Sequence, residues 1–203
     1  MRVTVIDYKA GNLTSVLKAL RHLGAEAIVT DGDLKPIETA ERLLLPGVGH
    51  FAATERLGAT GLTAAIRAAI HRGVPFLGIC VGMQWLYAGS AEAPAQPGLG
   101  YFAESCAHFP EGQEKVPHVG WNSLEVRPNS RLLADVEPGE HVYFTHSFRA
   151  PVTADTAAIT RYIEPFAAAV ESGNVMGTQF HPEKSGATGL KILGNFLQWK
   201  GTE

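Results

Sequence analysis

Residues 76–84 read FLGICVGMQ: an apolar run broken at Gly78, a lone Cys80 between two glycines, then Gly82 and the polar Gln84. The run predicts a buried strand that passes through a sharp turn into a helix over VGMQWLYAG, with Gly78 and Gly82 leaving room at the pivot. Just before it, the Ala-rich TAAIRAAIHRG of 63–73 predicts a helix. The same alternation opens the chain. Val3 to Ile6 is a β-branched run, and after KAGN the residues Val16, Leu17, Leu20 and Leu23 recur at helical spacing up to Gly24. EAIVT (26–30) and RLLLP (42–46) predict further buried strands. Strands alternating with helices form right-handed βαβ units, so the expected class is α/β, an open, mostly parallel sheet flanked by helices.

Beyond residue 98 the pattern changes. LGYFAESCAHF, GWNSLEVR, HVYFTHSF and FAAAVESGNVMGTQF are β-rich, and SGN at 172–174 suits a tight hairpin, which predicts an antiparallel β extension in the second half. Leu190, Ile192, Leu193, Phe196 and Leu197 predict a closing amphipathic helix. GSAEAPAQPG (89–98) reads as a surface loop inside one domain spanning 1–203. With 45% hydrophobic and 18% charged residues and a net charge of −3, the chain has globular composition and no basic footprint for nucleic acid or an anionic membrane. Neither a signal peptide nor a run near the ~18 apolar residues of a membrane span is visible, so a cytoplasmic protein with small-molecule or protein partners is expected. Cys80 and Cys106 form neither a disulfide framework nor a C-x-x-C pair.

What is Cys80 for? A free Cys is commonly a small buried hydrophobe. At a strand-to-helix turn on the carboxyl edge of a parallel sheet, it is equally suited to nucleophilic attack, with the helix N-terminus favouring the thiolate and the Val81 N–H placed for an oxyanion. Such a thiol needs a base, and eight His are available. His22 and His71 fall on predicted helices, His50 follows the PGVG loop, and His108, His118 and His141 sit in strand-like segments without a neighbouring acid. In TQFHPEKS, by contrast, an extended His181 can project to the same side as Glu183, whose carboxylate would orient the imidazole. H-x-E alone also suits zinc, but neither H-E-x-x-H nor P-C-x-x-C occurs, so no metal is expected. LLLPGVG (43–49) ends a strand of the same sheet in a glycine loop that lacks phosphate-binding signatures and fits donation of backbone N–H groups to an oxyanion.

GICVGMQ followed late in the chain by FHPE resembles the class I glutamine amidotransferases. DYKAGNL (7–13), LPGVGHF (45–51), KVPHVGWN (115–122) and YFTHSF (143–148) are similar to segments of the branch serving histidine biosynthesis, with one departure: Lys9 stands where that pattern has glycine. The resemblance implies hydrolysis of L-glutamine with no cofactor. It makes Cys80 the nucleophile, His181 the base and then the acid, and Glu183 its orienter. Gly47, Val48, Gly49 and Val81 would serve the oxyanion, Gln84 would lie along the substrate, and Ser147 and Phe148 would meet its amino-acid end. It also implies a heterodimer with a separate (β/α)8-barrel cyclase, docked through Asn12, Trp121, Tyr143 and Lys184. A glutaminase subunit of another amidotransferase, or a cysteine hydrolase on the same scaffold, would use the same three catalytic groups.

Overall fold

The computed structural model describes residues 1–11, 13–112 and 114–199. Its strands are β1 (Arg2–Ile6), β2 (Glu26–Thr30), β3 (Leu43–Gly47), β4 (Phe76–Cys80), β5 (Gly89–Ser90), β6 (Ser105–His108) and β7 (His118–Ser123). They continue with β8 (Glu125–Val126), β9 (His141–His146), β10 (Phe148–Arg149), β11 (Thr156–Tyr162), β12 (Glu164–Ser172) and β13 (Val175–Thr178). The helices are α1 (Leu13–His22), α2 (Lys35–Glu38), α3 (Glu55–Ala59), α4 (Leu62–His71), α5 (Val81–Gln84) and α6 (Gly186–Gln198). No helix among the described residues is long and apolar enough to cross a membrane.

Eight strands form one sheet in the order β2-β1-β3-β4-β13-β12-β11-β8. From β2 through β13 all neighbours are parallel; β13, β12, β11 and β8 then pair antiparallel, giving the extension expected from the second half. The β12–β13 hairpin turns at Gly173–Asn174, where Gly173 takes φ 59°. Parallel strands carry helices on both faces and must be apolar on both; β3 and β4 accordingly bury every residue. Helix α1 packs with α6, and α4 packs with α2 and α3. The periodic residues do the packing, with Val16, Ala19 and Leu20 buried on α1 and Ile192, Leu193, Phe196 and Leu197 on α6. From β1 the chain steps to β2 on one side and β3 on the other. The resulting crevice at the carboxyl ends is where open α/β sheets place ligands.

Three local expectations are corrected. The helix after Cys80 is a single turn, because the carbonyls of Trp85, Leu86, Tyr87 and Ala88 accept N–H groups from residues 98–102 instead of from the next helical turn. Those same residues therefore form no strand, and the only strand within LGYFAESCAHF is β6. The 89–98 segment lies at the surface as expected, with only Ser90 buried, but it is not all loop. It contributes β5 to a three-stranded sheet in the order β10-β6-β5, and Glu92 accepts the Phe51 N–H at 2.7 Å. Lys9 fits where glycine was expected by taking φ 65°, with its N–H on Asp7 Oδ1 at 2.8 Å and its ammonium on Asp31 at 2.7 Å.

Candidate active site

At the end of β4, Cys80 has φ 54° and ψ −109°, outside the regions an L-residue populates without strain. Such a backbone costs about 1–3 kcal/mol and persists only where the surroundings impose it. The flanking glycines show how. A Cβ on Gly78 would lie 2.4 Å from Gly82 O, and one on Gly82 would lie 2.0 Å from Leu45 O. Helix α5 thus rests directly on the backbones of β3 and β4, a contact no larger residue permits, and the chain must reverse abruptly at Cys80. Helix α5 is a single turn, so the helix-dipole support expected for a thiolate is small.

A cavity of about 240 Å³ opens over the elbow, smaller than the usual span for drug-sized ligands and suited to an amino acid. It is lined by Val48, Gly49, Cys80, Val81, Gln84, Glu92, Pro117, Thr145, His146, Ser147, Phe148 and His181. Of the residues expected to serve the oxyanion or the substrate, Val48, Gly49, Val81, Gln84, Ser147 and Phe148 line this cavity, whereas Gly47 stands behind the elbow. It pairs in register with Cys80, and a Cβ there would lie 2.3 Å from the Tyr8 hydroxyl, so its role is close packing. The Val48 N–H is also committed elsewhere: it donates to Ala10 O at 2.7 Å, away from any oxyanion. Gly49, at φ 90°, takes a left-handed turn that glycine adopts without cost. Val81 begins α5, so its N–H has no intrahelical partner and is available.

His181 and Glu183 follow β13, the parallel neighbour of β4. Both side chains are nearly sealed, at 1% and 2% exposure, and the His181 Nδ1–H donates to Glu183 Oε1 at 2.8 Å. That bond fixes the tautomer and leaves Nε2, which has no hydrogen-bond partner among the described residues, for the cavity it shares with Cys80. Burial alone would push the imidazolium pKa down. The nearby Cys80 sulfur and Glu183 carboxylate more than offset this and hold it up at about 10. Because that value is raised from the ordinary 6.5, the stability contributed by the proton is complete below pH 6.5 and is lost as pH rises through about 10. The shift favours the protonated imidazole at neutral pH.

Sequence reading counted His146 among the eight His without giving it a role, and overlooked Thr145, Pro117, Glu92 and Gln179. His146 lines the cavity but is no rival base. Burial pushes its pKa down to about 3, its Nδ1–H donates to Phe148 O at 2.9 Å, and its Nε2 accepts from His118 Nδ1 at 3.1 Å. The alternation HVYFTH, which buries His146 beside Val142 and Phe144, was the available signal. Cys106 is buried and free, and burial pushes its thiol up, so it stays inert. Trp121 of β7 is 56% exposed, pairs with Tyr143 of β9, and stacks edge-on to that ring at 6.1 Å. The Lys184 ammonium lies 5.9 Å from the other end of this cluster, the Tyr143 ring. Asn12 lies outside the described residues.

A sulfur presented from a strained turn at the carboxyl edge of a mostly parallel α/β sheet, with a buried His–Glu pair lining the same cavity, is the arrangement that α/β enzymes with a cysteine nucleophile require. The family model described as Glutamine amidotransferase class-I matches residues 4–199, and the chain belongs to that family. Imidazole glycerol phosphate synthase subunit HisH of Deinococcus radiodurans is 44% identical over 198 residues, spanning 96% of this chain and 92% of that protein. The protein of the same name from Rhodospirillum rubrum is 44% identical over 214 residues, spanning 98% and 99%. A crystal structure of a glutamine amidotransferase has the same fold, with a TM-score of 0.76 at 21% identity over 97% of both chains.

Proposed function

We propose that residues 1–203 act as one glutaminase domain, the subunit of a cytoplasmic imidazole glycerol phosphate synthase that hydrolyses L-glutamine to glutamate and ammonia. The observation that carries this reading is the strained Cys80 facing the buried His181–Glu183 pair across an amino-acid-sized cavity. The Cys80 thiolate attacks the side-chain amide carbon, and the oxyanion forms at the Val81 N–H. His181 gives its proton to the leaving ammonia. Water then adds to the thioester and yields its proton to His181, releasing glutamate and the thiolate. The ammonia passes to a separate (β/α)8-barrel cyclase, which makes imidazole glycerol phosphate and AICAR for histidine biosynthesis.

With the Val48 N–H bound to Ala10 O, the isolated chain has one oxyanion donor fewer than its loop could supply. One such donor is worth about 10²–10³ in kcat. Ammonia release from glutamine is therefore expected to be slow for the chain alone and to rise by about that factor on addition of the cyclase with its nucleotide bound. No ammonia under either condition would refute the glutaminase reading.

Docking is assigned to the Trp121–Tyr143–Lys184 cluster together with Asn12. A core Trp→Ala costs about 3–5 kcal/mol, but Trp121 is more than half exposed and an interface tryptophan acts only when the partner is present. Trp121→Ala is expected to melt within a few degrees of wild type while binding the cyclase at least about 30-fold more weakly. Unchanged affinity would remove Trp121 from the interface.

A further inference from the structure

The hydrogen bonds behind Cys80 form a chain whose polarity is set at one end. Phe148 O can only accept, so the Gln84 side-chain atom 2.9 Å from it is the donor Nε2. The same nitrogen lies 3.0 Å from the Gln179 side chain, which must therefore present Oε1. Gln179 Nε2 is then the atom facing Cys80 Sγ at 3.6 Å. Gln84 is 2% exposed and Gln179 is fully buried, so water does not compete for these bonds. Gln179 is itself anchored by its backbone N–H on Ala168 O at 2.8 Å, immediately after β13. Thr145 O also stands 4.0 Å from the sulfur. The two contacts select opposite states: the carbonyl can only accept from a thiol S–H, whereas the amide donates and is best matched by a thiolate.

We infer that Gln179 is a positioning residue for the nucleophile, donating to the Cys80 sulfur while holding Gln84 so that Gln84 Oε1 is the group left to face the substrate. Both hydrogens of the Gln84 amide are consumed by Phe148 O and Gln179 Oε1, so Gln84 can only accept from a ligand. It selects an amide or ammonium N–H and meets a carboxylate oxygen to oxygen. The substrate half of this inference rests on the glutaminase reading; the sulfur half does not.

The two halves are separated by two variants and two measurements. Gln179→Glu keeps an acceptor for Gln84 but sets a carboxylate against the sulfur. Gln179→Met keeps the volume and removes both contacts. Alkylation of Cys80 by iodoacetamide, followed by mass across pH in the isolated chain with melting recorded alongside, reads the thiolate without requiring turnover. The alkylation midpoint of Gln179→Glu is expected to rise by about one pH unit or more, leaving about tenfold less modification at a fixed neutral pH. Gln179→Met is expected to rise less and, in the complex with the cyclase, to raise KM for glutamine by about tenfold, because Gln84 is then held by Phe148 O alone. Wild-type midpoints in both variants would overturn the sulfur contact, even if melting and kcat fell. An unchanged KM in Gln179→Met would overturn the hold on Gln84. Absence of turnover by wild type would overturn the functional reading alone, and the midpoints would still decide the role of Gln179.

Discussion

Cys80→Ala is expected to lose ammonia release from glutamine by about 10⁴-fold or more, the scale on which removal of a nucleophile acts when its partners function as a unit. Folding and cyclase binding should survive, because the residue is 4% exposed and only one sulfur atom is lost. Two companion readouts tie this loss to geometry. The His181 imidazole, followed by NMR titration, should give up its proton at a lower pH in Cys80→Ala, since one of the two groups holding it near 10 is gone. Cys80→Gly should be equally inactive but more stable than Cys80→Ala by about 1–3 kcal/mol, because only glycine takes φ 54°, ψ −109° without strain. In a chain of this size each kcal/mol moves Tm by about 2–4 °C. Equal melting of the Gly and Ala variants would show that the elbow stores no strain, and retained activity in either would remove Cys80 as the nucleophile.

The second large effect separates His181 from Glu183. His181→Ala removes the acid that releases ammonia and should cost about 10³-fold or more in kcat. It should also destabilise the fold by about 3–5 kcal/mol, because Glu183, 2% exposed, is left as a buried carboxylate without its partner. Glu183→Gln keeps an oxygen at the acceptor position for Nδ1–H and removes only charge, so it should retain more turnover than His181→Ala and lose less stability. Its signature is in the pH profile. With the carboxylate gone, burial acts on His181 with less opposition, so the alkaline limb of kcat should move to lower pH. A Glu183→Gln enzyme slower than His181→Ala, or one with an unmoved alkaline limb, would reverse the roles given to the pair.

What the amino-acid sequence determined by itself is whatever near neighbours dictate. The β-branched and apolar runs read at 3–6, 26–30, 42–46 and 74–79 fall in β1, β2, β3 and β4 to within two residues, the 3.6-residue spacing of Val16–Leu20 and Ile192–Leu197 became α1 and α6, and the glycine at 173 turned a hairpin. The elbow was legible for the same reason: Gly78 and Gly82 lie within two residues of Cys80, and the turn they permit is a local steric matter. His181 and Glu183 share one short segment, so their pairing was legible too.

Tertiary structure decided what depends on which strands become neighbours. Helix α5 stops after one turn because residues 98–102 come back to claim its next carbonyls. The Val48 N–H is taken by a carbonyl on the loop after β1, a strand that β3 meets only in the sheet. Trp121 stands in a strand-like segment that reads equally well as core or surface. Its exposure follows from β7 pairing with β9 in a separate two-stranded sheet. Gln179 reaches Gln84 and Cys80 across 95 and 99 residues of chain solely because β13 is laid beside β4. Periodicity records which face of an element is apolar, but hydrogen-bond partners so far apart in the chain are chosen by strand order, and no local pattern encodes that choice.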